Sequence, residues 1–281
     1  MTMEKNNRID LHTHSNASDG VLSAKELLER AVNNNIDLLA ITDHDTVSGY
    51  RSVQARAGQL GINLITGVEL STVWSGLGVH IVGLNFDPNH QAITTLLDNQ
   101  RTARKKRCEQ ILQRLTNLGL PLTLEELQAN VGSATIGRPH IAQLMVDKGY
   151  AGNTRQAFKK YLGTGKIGDV KNTWVSLSAG VAAIRAGGGV AAVAHPNHYQ
   201  LTRSKLLRLL DDFIAAGGQG IEVIAGKQQR DITEKMANIA NDKGLYASTG
   251  SDFHRPLAYT ADVGELPPLP DSVKPIWHLF D

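Results

Sequence analysis

Short apolar runs alternate with longer stretches of helical spacing along most of this chain, and this alternation restricts the fold more than any other feature. Seven runs have the length and β-branched composition of buried strands, at residues 8–11, 37–42, 62–68, 79–85, 190–194, 220–224 and 246–249. Amphipathic patterns lie between most of them, at residues 23–34, 47–60, 177–186, 204–216 and 228–243. The alternation predicts an α/β fold with parallel strands joined by crossover helices.

Polar and ionisable residues stand near the carboxyl ends of these predicted strands. In the (β/α)₈ barrel architecture, the loops that follow the strands form the functional face. Seven strands with this arrangement predict a barrel related to the (β/α)₈ type, with its active site at the carboxyl ends of the strands.

The connection between the third and fourth predicted strands departs from this pattern. It has ten residues, 69–78, which is too few for a helical crossover between parallel strands. Because it contains Gly76 and Gly78, we expect a hairpin-like turn and an antiparallel fourth strand. That return would place His80 near Glu69.

Residues 99–173 contain no predicted barrel strand. They have helical patterns at 100–118, 123–130, 139–148 and 154–162. We therefore predict a barrel formed by residues 1–98 and 174–281, interrupted at 99–173 by a helical insertion that serves as a lid or substrate subdomain. The proline-rich segment 266–275 predicts an extended strap, with Trp277 packed onto the body.

Composition excludes several classes of protein. The net charge of +2 implies no global attraction to nucleic acid or anionic lipid, so such a partner would have to be met by a local patch. Cys108 is the sole cysteine, which rules out disulfides within the chain. The N-terminus lacks the apolar core of a signal peptide, and no apolar run approaches the roughly 18 residues of a membrane span. We predict a cytoplasmic protein without membrane association or an obligate protein partner.

Nine potential metal ligands, six histidines and three carboxylates, stand at or next to the ends of predicted strands. They are His12, His14, Asp19, His44, Glu69, His80, His195, Asp252 and His254. One divalent ion takes about four to six ligands and usually keeps a water, so nine ligands suit a cluster of two or three ions. Clustered metals are a common means of cleaving phosphate esters.

His12 and His14 are two residues apart, just after a predicted strand. Alternate residues of an extended backbone point to the same side, so both imidazoles can converge on one ion. Asp252 and His254 repeat this spacing after the last strand. Taken alone, such a pair is equally compatible with two unrelated loop histidines, but its recurrence with other ligands at strand ends favours a metal site.

The types of ligand narrow the choice of metal. There is no set of thiolates, which excludes a structural zinc site of the Cys₄ type. Imidazole combined with carboxylate suits Mn²⁺, Zn²⁺ or Fe²⁺ and leaves positions open for water and substrate. Three carboxylates against two or three divalent ions would leave a positive pocket that suits a phosphate.

Five short motifs resemble those of the PHP (polymerase and histidinol phosphatase) family. They are DLHTHS at 10–15, TDHD at 42–45, GVE at 67–69, AHP at 194–196 and SDFH at 251–254. The resemblance covers most of the chain and implies a distorted (β/α)₇ barrel with a trinuclear metal centre. We expect two or three divalent ions, with manganese favoured over zinc or iron. Within the family, AITDHDTVSGY and the helical insertion are most similar to the 3′,5′-nucleoside bisphosphate phosphatase subgroup, which includes ribonuclease AM.

The resemblance also implies how the ligands divide among three ions. His12, His14, Glu69 and Asp252 would hold the first ion. Glu69 would bridge to a second ion that His80 and His195 also bind. Asp19, His44 and His254 would hold the third. All nine positions are filled here, which favours an active enzyme over a non-catalytic metal-binding PHP module.

The substrate implied by the resemblance is a nucleotide with two phosphates on one ribose, or a short RNA. The 3′-phosphate would be hydrolysed at the metals by in-line attack of an activated water, with His195 and Asp252 as catalytic residues. The proton donor to the leaving oxygen is left open between His195 and a water on the metals. Asp19 would contact substrate as well as metal.

Two basic segments are candidates for binding the second phosphate. Arg104 and Arg107 share one face of a predicted helix and could bind this phosphate as a pair. A solvent-exposed basic face without a ligand is an equally good interpretation. Arg138 and His140 stand at a predicted helix start marked by Pro139, where anions are favoured.

Two other enzymatic functions remain open from the sequence. Histidinol phosphate phosphatase shares the ligand set, but the basic insertion is a poor match for a cationic amino alcohol. A metal-dependent amidohydrolase also uses an HxH barrel, but Asp19, His44 and His254 would supply a third ion for which amide hydrolysis has no need.

Overall fold

Seven strands form a nearly closed ring in the computed structural model, which describes residues 8–171 and 173–280. In chain order the elements are β1 (Ile9–Thr13), α1 (Ala24–Asn33), β2 (Leu38–Ile41), α2 (Ser48–Gln59), β3 (Asn63–Trp74), β4 (Leu77–Leu84), α3 (Gln91–Asn117), α4 (Leu124–Val131), α5 (Arg138–Asp147), α6 (Thr154–Ala157), β5 (Val175–Ser176), α7 (Leu177–Ala186), β6 (Val190–Val193), α8 (Arg203–Ala215), β7 (Gly220–Ala225), α9 (Arg230–Lys243) and β8 (Tyr246–Gly250). Residues 1–7, on which most of the expectation about a signal peptide rests, lie outside the described part of the chain.

The strand order around the ring is β1-β2-β3-β4-β6-β7-β8. The segment after β8 returns to β1, where the amide of His14 donates to the carbonyl of Phe253 and the amide of Asp252 donates to that of His12. These bonds draw the ring together at its carboxyl ends. The prediction of a distorted (β/α)₇ barrel is confirmed, and the short β5, which pairs with β3 outside the ring, was not predicted.

The predicted exception in the sheet is also confirmed. β3 and β4 pair in antiparallel fashion, with Glu69 opposite Val82 and Ser71 opposite His80. Both strands run further into the hairpin than predicted, so Glu69 lies within β3 rather than beyond its end. Since β4 also pairs antiparallel to β6, His80 near its amino end faces the same mouth as the carboxyl ends of the parallel strands.

Helices pack outside the ring and bury its apolar side chains. α1 begins at the predicted capping box, in which Ser23 and Glu26 satisfy each other's backbone amides. α7, α8 and α9 cover β4, β6 and β7 with a continuous cluster that includes Val181, Phe213 and Met236. The rigid ring holds the loops at its mouth in fixed positions.

The helical insertion has a hydrophobic core of its own. Leu115, Leu127 and Met145 are fully buried in this core, which is separate from the clusters around the barrel. α6 continues into a π-helical turn at Phe158–Leu162. α3 begins at Gln91, earlier than predicted, and crosses the predicted boundary at residues 98–99. The division into two barrel parts and an insertion stays a prediction.

The C-terminal strap packs against the floor of the barrel. Ala247 of β8 pairs with Pro275, and the following Ile276–Leu279 form a 3₁₀ turn. Trp277 is 7% exposed and packs with Ile9 and Leu38. The expected strap and its tryptophan anchor are both present.

Candidate metal centre

Glu69 lies at the centre of a cluster of histidines and is 1% exposed. Its Oε1 lies 2.8 Å from His80 Nδ1 and 2.8 Å from His195 Nε2. Its Oε2 lies 3.0 Å from His44 Nδ1, 3.2 Å from His14 Nε2 and 3.4 Å from His12 Nε2. One carboxylate therefore contacts five imidazoles, which come from the ends or starts of four strands at the mouth of the barrel.

The two histidines after β1 converge as their spacing predicted. Nε2 of His12 lies 3.1 Å from Nε2 of His14, and both imidazoles are fully buried. Oδ1 of Asp252 approaches the same pair, 3.5 Å from His12 Nε2 and 3.3 Å from His14 Nε2. Together with Glu69, these atoms surround a space of the size that a metal ion needs.

A second group of potential ligands adjoins the first on the side of the β1 loop. Oδ1 of Asp19 lies 3.3 Å from His254 Nε2, and Oδ2 lies 3.7 Å from His44 Nε2. The ligand atoms of His14, Asp19, His44 and His254 all fall within 4.8 Å of one another. His14 thus adjoins both groups, with Nε2 toward Glu69 and Nδ1 toward Asp19.

Buried carboxylates behind the ligands fix their orientation. Oε1 of Glu222 lies 2.7 Å from His12 Nδ1, and its Oε2 accepts the amide of His195 at 2.6 Å. Asp43 accepts the hydroxyls of Ser15 and Ser18, both at 2.7 Å, and so ties down the loop that carries His14 and Asp19. Partners of this kind typically orient metal-binding histidines.

The cluster keeps its carboxylates ionised. Burial opposes the charge on Glu69, but the neighbouring His44, His80 and His12 outweigh it and hold its pKa well below the usual range. Burial likewise opposes the charge on Asp252, and His12 and His14 lower its pKa in the same way. Ionised oxygens are the form that binds a cation.

The pKa values of His44 and His14 are shifted in opposite directions. Burial lowers the pKa of His44 to about 3, more than Glu69 and Asp19 can compensate. Burial also opposes protonation of His14, but Asp252 and Glu69 raise its pKa to about 10. His14 therefore carries a proton that a divalent ion would displace, because such an ion neutralises the same carboxylates.

Three buried atoms of this cluster make no well-oriented hydrogen bond among the described residues, although charged groups lie close to two of them. They are Asp19 Oδ1, His44 Nδ1 and His195 Nδ1. Unsatisfied buried polar atoms are uncommon, and each is a potential ligand atom pointing into a site rich in carboxylate and imidazole. The residues present therefore fit a group of divalent ions.

Apart from Asp19, the predicted substrate residues lie on α3 and at the start of α5, and Arg104 reaches the loops at the mouth of the barrel. Arg104 donates to Asp45 Oδ2 at 2.6 Å and to Ser71 Oγ at 2.8 Å, so much of its guanidinium is already engaged. Arg107 donates to the carbonyl of Val170 at 3.3 Å. The guanidiniums of both arginines lie over one ring, that of Trp174, at 5.0 and 5.5 Å.

Arg138 and His140 open α5, as the turn at Pro139 predicted. Nη1 of Arg138 donates to the carbonyl of Leu162 at 3.2 Å. His140 Nδ1 accepts the amide of Gly137 at 3.0 Å, and burial lowers the pKa of its imidazole against the opposing charge of Asp19. The amide of Thr135 bonds to the carbonyl of Ala17, which holds this helix start against the loop of Asp19.

Relatives of known description match nearly the whole chain. A 5′-3′ exoribonuclease from Haemophilus influenzae is 42% identical over 97% of this chain and 99% of its own length. A 3′,5′-nucleoside bisphosphate phosphatase from Chromobacterium violaceum is 42% identical, with 96% and 95% covered. The 5′-3′ exoribonuclease Rnm of Escherichia coli is 38% identical, with 97% and 93% covered. The sequence model of the PHP domain matches residues 10–123.

The chain belongs to the PHP family. Two solved structures agree with this PHP assignment. A Chromobacterium violaceum protein described as an amidohydrolase, with bound sulfate and no metal, is 41% identical and superposes with a TM-score of 0.90 over 97% of this chain and 95% of its own. A Bifidobacterium adolescentis protein described as a metal-dependent phosphoesterase is 29% identical, with a TM-score of 0.82 over 94% and 93%.

Several residues of the PHP site stand in backbone conformations that are rare outside glycine. Asp45, His195 and Asp252 have positive φ values of 52°, 28° and 51°. Such residues cost of order 1–3 kcal/mol each and persist where the surroundings fix them, typically at functional sites. Here the strain turns each side chain back across the mouth of the barrel at the point where its strand ends.

The sequence did not reveal every residue that shapes this PHP site. Asp43 and Trp174 received no role, although Asp43 belongs to the TDHD motif that pointed to His44. Tyr199 was also missed; its hydroxyl accepts the amide of His80 at 2.8 Å. Among the described residues, no helix combines the length and apolar character needed to cross a bilayer.

Proposed function

We propose that this PHP protein removes the 3′-phosphate from nucleoside 3′,5′-bisphosphates and releases 5′-terminal nucleotides from short 5′-phosphorylated RNA. Support comes from relatives of 38–42% identity that are described by these two activities and align with almost the whole chain. The two reactions break the same bond, between phosphorus and the ribose 3′-oxygen. A single site can therefore serve both.

The observation that supports the proposal is a cationic cluster of three arginines in the insertion, of which Arg104 contacts Asp45 and Ser71 next to the Glu69 cluster. Arg104, Arg107 and Arg138 crowd together, and burial with the two neighbouring guanidiniums lowers the pKa of Arg107 to about 10. Burial is also the main cause of the lowered pKa of Arg138. A phosphate group would relieve this repulsion, so the cationic cluster suits a substrate with a second phosphate away from the bond that breaks.

The residues proposed to hold metal are those of the Glu69 cluster. We assign His12, His14, Glu69 and Asp252 to one ion, Glu69, His80 and His195 to a second, and Asp19, His44 and His254 to a third. Manganese is the ion we propose, with Zn²⁺ or Fe²⁺ as alternatives of similar ligand preference. When bound, the ions supply a water of lowered pKa and neutralise charge on the phosphoryl oxygens.

The protein side chains position the reacting groups around this centre. Asp252 is 23% exposed and stays ionised, so its carboxylate can accept a hydrogen bond from the attacking water and orient it toward phosphorus. His195 borders the cavity between the β6 and β7 loops, and its Nδ1 is free to hold a proton for the leaving 3′-oxygen. Asp19, in the loop after β1, and His140, in the first turn of α5, adjoin each other and orient the ribose and its 5′-phosphate.

Location and partners follow from the same proposal. The substrate is a small nucleotide or a short RNA, and the chemistry needs no second protein. We propose that the protein acts in the cytoplasm.

A phosphate-release assay tests the function directly. With added Mn²⁺, we expect turnover of adenosine 3′,5′-bisphosphate and of short 5′-phosphorylated RNA, and little turnover of histidinol phosphate. Glu69→Gln should abolish both activities, whereas Glu234→Gln on the exposed face of α9 should retain them. A preference for histidinol phosphate, or hydrolysis of amide substrates alone, would contradict the proposal.

A further inference from the structure

A cavity opens beside the metal centre, between the loops that follow β6 and β7. It has a volume of about 280 Å³, close to the lower end of the range of about 300–1,000 Å³ for small-molecule sites. His195 and Glu222 form its inner end, which places it in direct continuity with the Glu69 cluster. The nucleotide and the second phosphate of the proposed substrate do not account for it.

The cavity lies across the metal centre from the cationic cluster of Arg104, Arg107 and Arg138. Arg104 reaches Asp45 and Ser71, after β2 and within β3, and α5 begins against the β1 loop. The cavity belongs to β6 and β7, which are on the far side of the ring from these strands. The proposed substrate has its 5′-phosphate among the arginines and its 3′-phosphate at the metal centre. Any part of the substrate beyond that 3′-phosphate would extend into the cavity.

The lining of the cavity has both an aromatic and a cationic component. The imidazole of His198 is stacked on that of His195, with centroids 5.0 Å apart and an angle of 16° between the rings. His198 is exposed, so its other face is open to a planar group. Ile232 and Met236 supply an apolar wall on the side of α9. Nucleobases bind to such surfaces by stacking.

Lys227 provides the positive charge of this cavity. Its ammonium lies 3.3 Å from Glu265, but the two side chains are 43% and 57% exposed, so the pair contributes little stability and can separate. Glu222, the one acidic group in the lining, is fully engaged by His12 and the amide of His195. A phosphate that enters this cavity could therefore replace Glu265 as the partner of the Lys227 ammonium.

We propose that this cavity binds the second nucleoside of an RNA substrate, the one attached through its 5′-oxygen to the phosphate at the metal centre, with its base on His198 and its 3′-phosphate near Lys227. The inference rests on the proposed function and names the longer substrate that the site accepts. The water oxygen bonds to phosphorus, the bond to the 3′-oxygen of the first nucleoside breaks, and that oxygen takes a proton. The shortened RNA keeps the phosphate and lies in the cavity when the first nucleotide leaves.

Two substrates that differ only beyond the reacting phosphate test the proposal. Adenosine 3′,5′-bisphosphate ends at that phosphate, whereas 5′-phosphorylated ApAp continues into the cavity. We expect Lys227→Ala and His198→Ala to lower the ratio of kcat/KM on ApAp to kcat/KM on the bisphosphate by at least about fivefold. Lys235→Ala, an exposed lysine of α9 outside the cavity, should leave the ratio unchanged.

A second measurement uses the wild-type protein and so does not depend on the folding of a variant. Replacing the second adenosine of the substrate with an abasic ribose should raise the KM of the wild type by a similar factor, because no base is then left to stack on His198. An unchanged ratio in both cavity variants, or equal KM with and without the second base, would overturn the cavity assignment while leaving the phosphatase intact. Failure of the wild type to hydrolyse either substrate would overturn the proposed function and the cavity assignment together.

Discussion

Glu222 of β7 holds His12 from behind, with 2.7 Å between Glu222 Oε1 and His12 Nδ1. A carboxylate in this position accepts the Nδ1 proton and leaves Nε2, the atom that lies 3.1 Å from His14 Nε2, as the ligand atom. The other oxygen of Glu222 accepts the amide of His195 at 2.6 Å. One residue thus orients two candidate ligands that are far apart in the sequence.

Glu222→Gln should therefore weaken metal binding. The amide can accept at only one atom and would place an NH₂ group against His12 or against the His195 amide, so we expect a 10- to 100-fold loss of affinity. Chelator competition and elemental analysis measure this without an activity assay. Glu234→Gln, the same substitution at an exposed site, should bind metal like the wild type; equal affinities in both variants would rule out the positioning role.

Arg104→Ala should destabilise the fold. The Arg104 side chain is 10% exposed and pairs with Asp45, which is fully buried, so truncation would leave an uncompensated charge in the interior. Breaking such a pair costs about 3–5 kcal/mol. Denaturant unfolding measures the change, and Arg101→Ala on the same helix, whose side chain is 80% exposed, should cost less than about 1 kcal/mol. Equal stability of the two variants would show that the Asp45 contact is dispensable.

Arg138→Ala should raise KM for adenosine 3′,5′-bisphosphate about 10- to 100-fold, as expected for the loss of a charged hydrogen bond to the 5′-phosphate. The effect on adenosine 3′-monophosphate, which lacks that group, should be much smaller. Steady-state kinetics on the two nucleotides provide the comparison. Arg155→Ala, at an exposed position of the same insertion, serves as the control, and equal losses on both substrates would argue against a 5′-phosphate contact.

Metal should stabilise the native protein. Ions that bind only the folded state at about 100 times their dissociation constant add about 2.7 kcal/mol, which corresponds to roughly 5–10 °C in Tm for a chain of this size. Differential scanning calorimetry of the metal-stripped protein with and without Mn²⁺ measures the shift. Glu69→Gln should lose most of it, since Glu69 contacts five of the histidines; an equal shift in that variant would place the ions elsewhere.

The barrel and the convergence of the ligands were predictable because both follow from local periodicity. The strand runs and the helical spacing between them are encoded within a dozen residues. The two-residue spacing of His12 and His14 fixes their common direction. The hairpin at Gly76 followed from the length of one connection. The ligand assignments to individual ions stay predictions.

The contacts between distant segments could not be predicted. Asp45 and Arg104 are 59 residues apart, and His12 and Glu222 are 210 apart; no local pattern relates such partners. The start of α3 at Gln91 was missed because its first turns pack on the barrel and its later turns on the insertion, so no single apolar face continues along it. The hairpin strands were underestimated because Ser71 and Thr72 are polar and yet buried.

α3 joins the barrel core, through Ile93 and Leu96, to the insertion core, through Cys108 and Leu115, without a break. A continuous helix packed into both cores resists bending between them, so we expect the insertion to keep a fixed position relative to the barrel. If the insertion cannot open, a wide substrate cannot enter the site. Under the proposed function, we therefore expect hydrolysis of single-stranded RNA ends and no hydrolysis of folded or double-stranded RNA.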